Sequence, residues 1–257
     1  MAKYLSAEEC PQGSPEWHAR RQGLATASEI TKILTASKLK KSTSFADYAI
    51  ACAIEAEGFA SKPEPPNFAM RHGIDTEAEA AYAFAQMHGE IYQNVSEVGF
   101  VLPADKFAVN SEYGWGCSPD RLLDDVGLLE IKCPMKAETV VAYADAGVVP
   151  LKYKLQCQFQ LWVCERSVLE FFAYHREFCF RCRVIPDEAT FAAFGELLPE
   201  FFEAVRMHRE QLRQWAAPFA AADADAIRTA AAGQAFAGRL YHNFYFEFLD
   251  ERGLDAE

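Results

Sequence analysis

The chain has 257 residues, 51% of them apolar, and a formal charge of −12. That length suits one large domain or a domain with an appendage, and the apolar share allows a sizeable core. The charge counts against a generic duplex binder, whose affinity comes largely from basic groups meeting phosphate, unless the basic residues are gathered in one channel.

Lys32, Lys38, Lys40 and Lys41 cluster near Arg20 and Arg21, while acids are spread along the chain, and this favours the channel. No apolar run approaches the roughly 18 residues of a membrane span. The first ten residues lack a signal-peptide core, and the 8 cysteines follow no regular framework. A cytoplasmic protein in a reducing compartment, away from membranes, is expected.

Ser14 is a good N-cap and Pro15 suits a first helical position, so a helix is expected to Arg21, ended by Gly23. Thr26-Ala27-Ser28-Glu29 has the form of a capping box and predicts a second helix over 26–36. Its start, with the Ser28 hydroxyl and Arg21, can hold a phosphate. The plain alternative is a capped helix beside a surface arginine. A helix over 44–58, a proline-rich loop over 61–66 and a long helix over 68–88 follow. Glu77 shares its face of the long helix with Ala81, Phe84 and Ala85. It is either a salt-bridged core acid or part of a site.

Strands are expected over 91–102 and 107–111. The segment from Gly116 to Pro134, GCSPDRLLDDVGLLEIKCP, is the centre of the chain. Its run from Leu128 to Cys133 alternates with period two, so Glu130 and Lys132 share one face and Leu129, Ile131 and Cys133 the other. Asp124 to Gly127 is turn-rich and, by reversing the chain, returns Asp120 to Glu130. Two acids and a lysine then converge. A carboxylate pair suits Mg²⁺, and a lysine beside it can orient water and stabilise developing charge. The plain reading is an exposed hairpin with a surface ion pair.

Helices are expected over 136–146 and 152–165, the latter with Leu155, Phe159, Trp162 and Val163 toward the core. Gln156, Gln158 and Gln160 read as a solvated face, though glutamine can also bind phosphate oxygens or water. Strands over 169–174 and 178–185 form a hairpin. They contain Cys179 and Cys182, which point to opposite faces of a strand, so the pair is not read as a zinc or iron–sulfur site. A long helix runs from 186 to about 215. Residues 1–215 form the expected main domain. Residues 216–257, alanine-rich and then aromatic from Leu240 to Leu249, form an extension that packs on the domain or on a neighbouring subunit.

Four separated stretches, in order, resemble the lambda-phage type of alkaline exonuclease, the YqaJ-like viral recombinase family within the PD-(D/E)XK nucleases. They are Trp17 to Ser28, Gly73 to Glu77, Ser118-Pro119-Asp120 with Glu130 to Pro134, and Gln156-Cys157-Gln158 with Trp162. The resemblance covers about residues 14–165 and leaves 216–257 unmatched.

It implies an α/β fold: a restriction-endonuclease-like core with a central mixed β-sheet flanked by helices. It implies processive 5′→3′ digestion of one strand of linear double-stranded DNA to mononucleotides, leaving a 3′ single strand for recombination with a single-strand annealing protein. It also implies a homotrimer ring around DNA, whose channel alone need be basic.

By the same resemblance Asp120, Glu130 and the Ile131 carbonyl hold Mg²⁺, with two ions expected and Mn²⁺ as a substitute. Lys132 contacts the attacking water. Glu77 and Gln158 complete the site through water. Arg21, aided by Ser28, receives the 5′-terminal phosphate, and Met70 is a candidate strand wedge. The competing readings are an endonuclease on the same core, a DNA-end-binding scaffold without catalysis, and an acidic protein-interaction module.

Overall fold

The computed structural model describes residues 1–60, 65–109 and 112–220, with side chains as far as 217. The chain divides into two compact units, Met1–Arg209 and Glu210–Glu257, and the first holds the sheet and the candidate site. The expected aromatic run over 240–249 lies outside the described residues, as do 61–64 of the proline-rich loop.

In chain order the elements are β1 (Lys3–Leu5), α1 (Pro15–Arg21), β2 (Ala25–Thr26), a 3-10 turn (Ala27–Lys32), α2 (Phe45–Ala56), α3 (Phe68–His88), β3 (Val95–Ser96), β4 (Phe100–Leu102), a second 3-10 turn (Asp105–Phe107), β5 (Trp115–Gly116), β6 (Arg121–Leu123), β7 (Gly127–Lys132), α4 (Ala137–Ala146), α5 (Leu151–Cys164), β8 (Val168–His175), β9 (Phe178–Val184) and α6 (Glu188–Ala220). The main sheet has five strands in the order β3-β6-β7-β8-β9. Only β7 and β8 are parallel; the other neighbours run antiparallel. This is the mixed sheet expected from the sequence. α3 packs on one face through Ala80, Ala81 and Phe84, which join Leu129, Ile131 and Phe172 in a buried cluster.

Helix starts and stops follow local chemistry. Ser14 caps α1 by accepting from Trp17 N, and Asn67 caps α3 by accepting from Met70 N. α5 is buried nearly all round, from Leu155 through Cys164, so it is an internal helix and not one with a solvated face.

Three expectations change. No helix spans 26–36. Ala25 and Thr26 are drawn into a parallel pair with Trp115 and Gly116, and a 3-10 turn follows. Thr26 makes no side-chain cap, and Glu29 pairs with Lys32 instead of reaching back, so the capping box does not form. The strand expected over 91–102 is broken into β3 and β4 at Gly99, where an added Cβ would meet Cys10 O at 2.3 Å. Residues 105–109 form a 3-10 turn and an isolated bridge from Val109 to Glu112, not a strand. In the first case tertiary strand pairing overrides local pattern.

Gly23 ends α1 with φ +74, and a Cβ there would lie 2.5 Å from Ala56 Cβ and 2.9 Å from Ala56 Cα. Gly23→Ala carries both a left-handed backbone and a clash against rigid backbone atoms. It is expected to destabilise the protein by about 2 kcal/mol or more, measured by urea denaturation. A change under about 0.5 kcal/mol would show that α1 and α2 can separate without cost.

Candidate active site

The hairpin of β6 and β7 forms as the alternation predicts. Its register pairs Arg121 with Leu129 and Leu123 with Gly127, so Asp120, one residue before β6, comes opposite Glu130. Asp124 turns the chain at φ +44, and its carboxylate accepts from Asn94 N at 2.7 Å. Asp120 Oδ2 accepts from Ile131 N at 2.5 Å and so extends the ladder with a side chain. A strand residue sends its N–H and C=O to the same side, so the Ile131 carbonyl also leaves β7 toward Asp120.

Glu130 is 1% exposed. A buried carboxylate is tolerable only with dense hydrogen bonding. Lys132 Nζ forms an ion pair with Oε1. Gln156 Nε2 donates to Oε1 and Gln160 Nε2 to Oε2, each at 2.6 Å. These glutamines lie four apart on α5, hence on one face, and that face meets the sheet. Gln158 lies on the other side. Its Nε2 donates to Ile185 O at 2.8 Å and its Oε1 accepts from Asp187 N at 2.9 Å, so it anchors the start of α6 and does not reach the acids.

Glu77 approaches from α3. Arg121 Nη1 donates to Glu77 Oε1 at 2.8 Å and to Asp120 O at 2.5 Å. Glu77 is thus both a salt-bridged acid and a neighbour of the acid pair. Burial, then the charges of Glu130 and Glu77, push the Asp120 carboxyl well above its ordinary range, against Lys132 and the Ile131 N–H. For Lys132, burial opposes the charge, but Glu130 and Asp120 outweigh it and raise its pKa.

Two residues outside the expected set fix the Ser-Pro-Asp segment. Gln12 Nε2 donates to Pro119 O and Val98 O, each at 2.9 Å. Trp17 Nε1 donates to Ser118 Oγ at 2.7 Å, tying α1 to the segment that carries Asp120. Arg21 lies with its guanidinium 4.0 Å from the centre of the Trp17 ring. Burial lowers its pKa. Among the described residues no carboxylate lies within ion-pair distance of it. Ser28 is exposed in the 3-10 turn, and its Oγ is 3.4 Å from Thr26 Oγ1. In place of the expected α-helix start there is a 3-10 helix, Ala27–Lys32, without a side-chain cap. Met70 is 57% exposed in the first turn of α3.

Asp120 and Glu130 can hold a divalent cation. Among the described residues, no three His, Cys, Asp or Glu side chains group as a closed metal cage. Mg²⁺ does not need one: one or two carboxylates with water and substrate oxygens suffice. The polar inventory fits. Gln160 Oε1 is buried without a donor, and Asp120 Oδ1 accepts no hydrogen bond among the described residues. Oxygen acceptors in excess of donors, beside mutually repelling carboxylates, suit a hydrated cation.

Residues 16–167 match the YqaJ-like viral recombinase domain, which is more than half of the chain, and the chain belongs to that family. The fold is the PD-(D/E)XK, restriction-endonuclease-like core. Among solved structures, an alkaline exonuclease from Laribacter hongkongensis is similar at 26% identity, covering 80% of this chain and 100% of its own, with a TM-score of 0.66. That enzyme in complex with dAMP aligns at 27% identity over the same shares, 80% and 100%, with a TM-score of 0.67. A phage-related exonuclease from Haemophilus somnus 129PT shares the fold at 12% identity, 74% of this chain and 95% of its own, with a TM-score of 0.52. No curated protein matches the chain. Among the described residues no helix is long and apolar enough to cross a membrane.

The raised Asp120 pKa has a stability consequence. Its ionised form is disfavoured in the folded metal-free protein, so the penalty is absent below the ordinary value of 3.8 and grows as pH rises toward the folded value. Asp120→Asn keeps an acceptor for Ile131 N and removes the charge. Without metal it is expected to melt higher than wild type at neutral pH, by about 2–4 °C for each kcal/mol relieved, with the gap closing in acid. A variant that melts lower at neutral pH would contradict the repulsion.

Proposed function

We propose that the chain is a DNA exonuclease that digests one strand of linear double-stranded DNA from its 5′ end, processively and with Mg²⁺, to mononucleotides. The observation that carries this reading is Glu130, buried beside Asp120 and paired with Lys132, in a chain of this family. The Laribacter hongkongensis relative, an alkaline exonuclease with a dAMP complex, supports release of nucleoside monophosphates.

Asp120 and Glu130 would hold the cation, with the Ile131 carbonyl as a further ligand; two ions are expected, and Mn²⁺ can substitute. When bound, the cation polarises the phosphodiester and lowers the pKa of water. The chain's own residues do the rest. Gln156 and Gln160 lock both oxygens of Glu130, so the carboxylate does not rotate as charge changes around it. Lys132 orients the attacking water and stabilises charge developing on the phosphate oxygens. Water gives up a proton to solvent as its oxygen bonds to phosphorus, the bond to the 3′ oxygen breaks, and the leaving oxygen takes a proton from solvent. Arg121 holds Glu77 at the edge of the site. Gln158 has a structural role, and Gln156 takes the place expected for it.

Arg21, part-buried and without a carboxylate partner among the described residues, receives the 5′-terminal phosphate as a bidentate fork, aided by the exposed Ser28 hydroxyl. Trp17 links this anchor to Ser118 and hence to Asp120. A charged end held at a fixed offset from the acids gives a 5′→3′ direction. Met70, exposed on α3, is the candidate strand wedge. A homotrimer ring, with cations confined to its channel, reconciles the charge of −12 with a DNA substrate. The 3′ strand left behind would be the substrate of a single-strand annealing protein in phage-type recombination, and residues 216–257 an extension packing on the domain or on a neighbouring subunit.

The test uses linear duplex labelled at one 3′ end, with 5′-phosphate or 5′-hydroxyl termini, and closed circles as control. Progressive Mg²⁺-dependent loss from phosphorylated 5′ ends with circles intact is expected; cut circles would replace the reading with an endonuclease. Glu130→Ala and Lys132→Ala should each lower the rate by about 10³-fold or more. Arg21→Ala should slow phosphorylated ends far more than hydroxyl ends, and an equal loss on both would overturn its role as anchor.

A further inference from the structure

Beside the acid pair lies a group of side chains that the reaction described above leaves unused. Phe171 on β8 is the ladder partner of Glu130. Two tyrosines pack on its ring: Tyr153 from α5, with centroids 5.6 Å apart, and Tyr143 from α4, at 6.3 Å. The Tyr153 ring is shared by two ammonium groups. Lys132 Nζ lies 5.1 Å from its centroid and Lys152 Nζ 4.7 Å. Lys152 Nζ is also 6.0 Å from the Tyr143 centroid.

The two lysines differ in one respect. Lys132 is neutralised by Glu130. Lys152 is exposed and, among the described residues, has no carboxylate within ion-pair distance. It stands in the first turn of α5 together with Lys154, a turn without any acidic residue. That arrangement opposes the helix dipole, which favours anions there, so local helix stability does not account for the charge. The sharing of one ring puts the two nitrogens at most about 10 Å apart, close enough for both to meet neighbouring phosphates of one strand.

We propose that Lys152, held by Tyr153 and Tyr143, contacts a phosphate of the DNA strand being cleaved, close to the scissile one. Its positive charge offsets the repulsion between that strand and the acids Asp120, Glu130 and Glu77. The proposal rests on the nuclease reading and adds to it a residue that sets the register of the strand.

The test is binding of a 5′-phosphorylated duplex without divalent metal, followed by fluorescence anisotropy across a salt series, with steady-state cleavage in Mg²⁺ beside it. Each duplex phosphate contact contributes about 0.9 to the slope of log affinity against log salt. Lys152→Ala is expected to lower that slope by about 0.9 and to raise KM more than it lowers kcat, whereas Lys152→Arg retains the slope. Lys154→Ala makes the same charge change two residues away, on the side of Asp187, and is expected to leave the slope as in wild type. An unchanged slope in Lys152→Ala, or an equal loss in both alanine variants, overturns the contact while leaving the nuclease standing. A wild-type protein that neither binds nor cleaves duplex overturns the nuclease reading itself.

Discussion

The structure depends on one buried charge. Glu130 sits at 1% exposure in the middle of the main sheet, and the donors around it hold its carboxylate in place. Lys132 follows two residues later on the same face of β7. Gln156 and Gln160 arrive from α5, which must be an internal helix for its amides to reach the sheet. Lys132 and Gln156 share Oε1, whereas Oε2 has Gln160 alone among the described residues, so removing Gln160 would leave that oxygen buried without compensation, a cost of about 1–3 kcal/mol. Such a cluster contributes little net stability compared with well-packed apolar residues. Its presence in the core is better explained by chemistry than by folding.

Asp120 shows the other side of the same constraint. Its carboxylate takes the place of a backbone acceptor at the end of β6, and this fixes it beside Glu130 against their mutual repulsion. The positions around it are tied down from distant parts of the chain. Gln12 holds Pro119, Trp17 holds Ser118, and Arg121 reaches Glu77 on α3. The site is therefore preorganised by the N-terminal segment, α3, α5 and the hairpin together. Arg21 joins the same frame through Trp17, so its spacing from the acids is set by packed rings and hydrogen bonds.

Much of this was legible in the residues. Period-two alternation from Leu128 to Cys133 and the turn residues before it specified the hairpin, its faces and the meeting of Asp120, Glu130 and Lys132. The boundaries of α3 were legible too: the expected 68–88 is the helix Phe68–His88. Two things were not. Thr26-x-x-Glu29 has the letters of a capping box, but Ala25 and Thr26 are claimed by β5, ninety residues away, and pairing of that kind leaves no local trace. Among the three glutamines, spacing alone could have separated Gln156 and Gln160, four apart, from Gln158 between them. What it could not say was which side of α5 meets the acids, because that helix is buried on both. The supporting contacts of Gln12 and Trp17 are long-range side-chain hydrogen bonds, and no pattern in the sequence announces them.

The central claim is that Asp120 and Glu130 form a cation site on which strand cleavage depends. The most direct measurement is a calorimetric titration of Mg²⁺ into metal-free protein, wild type beside Glu130→Gln, followed by DNA digestion in excess chelator. The account predicts saturable Mg²⁺ binding in the wild type, its loss in Glu130→Gln, and no digestion in chelator. Equal binding by both proteins, or digestion that continues in chelator, would contradict it.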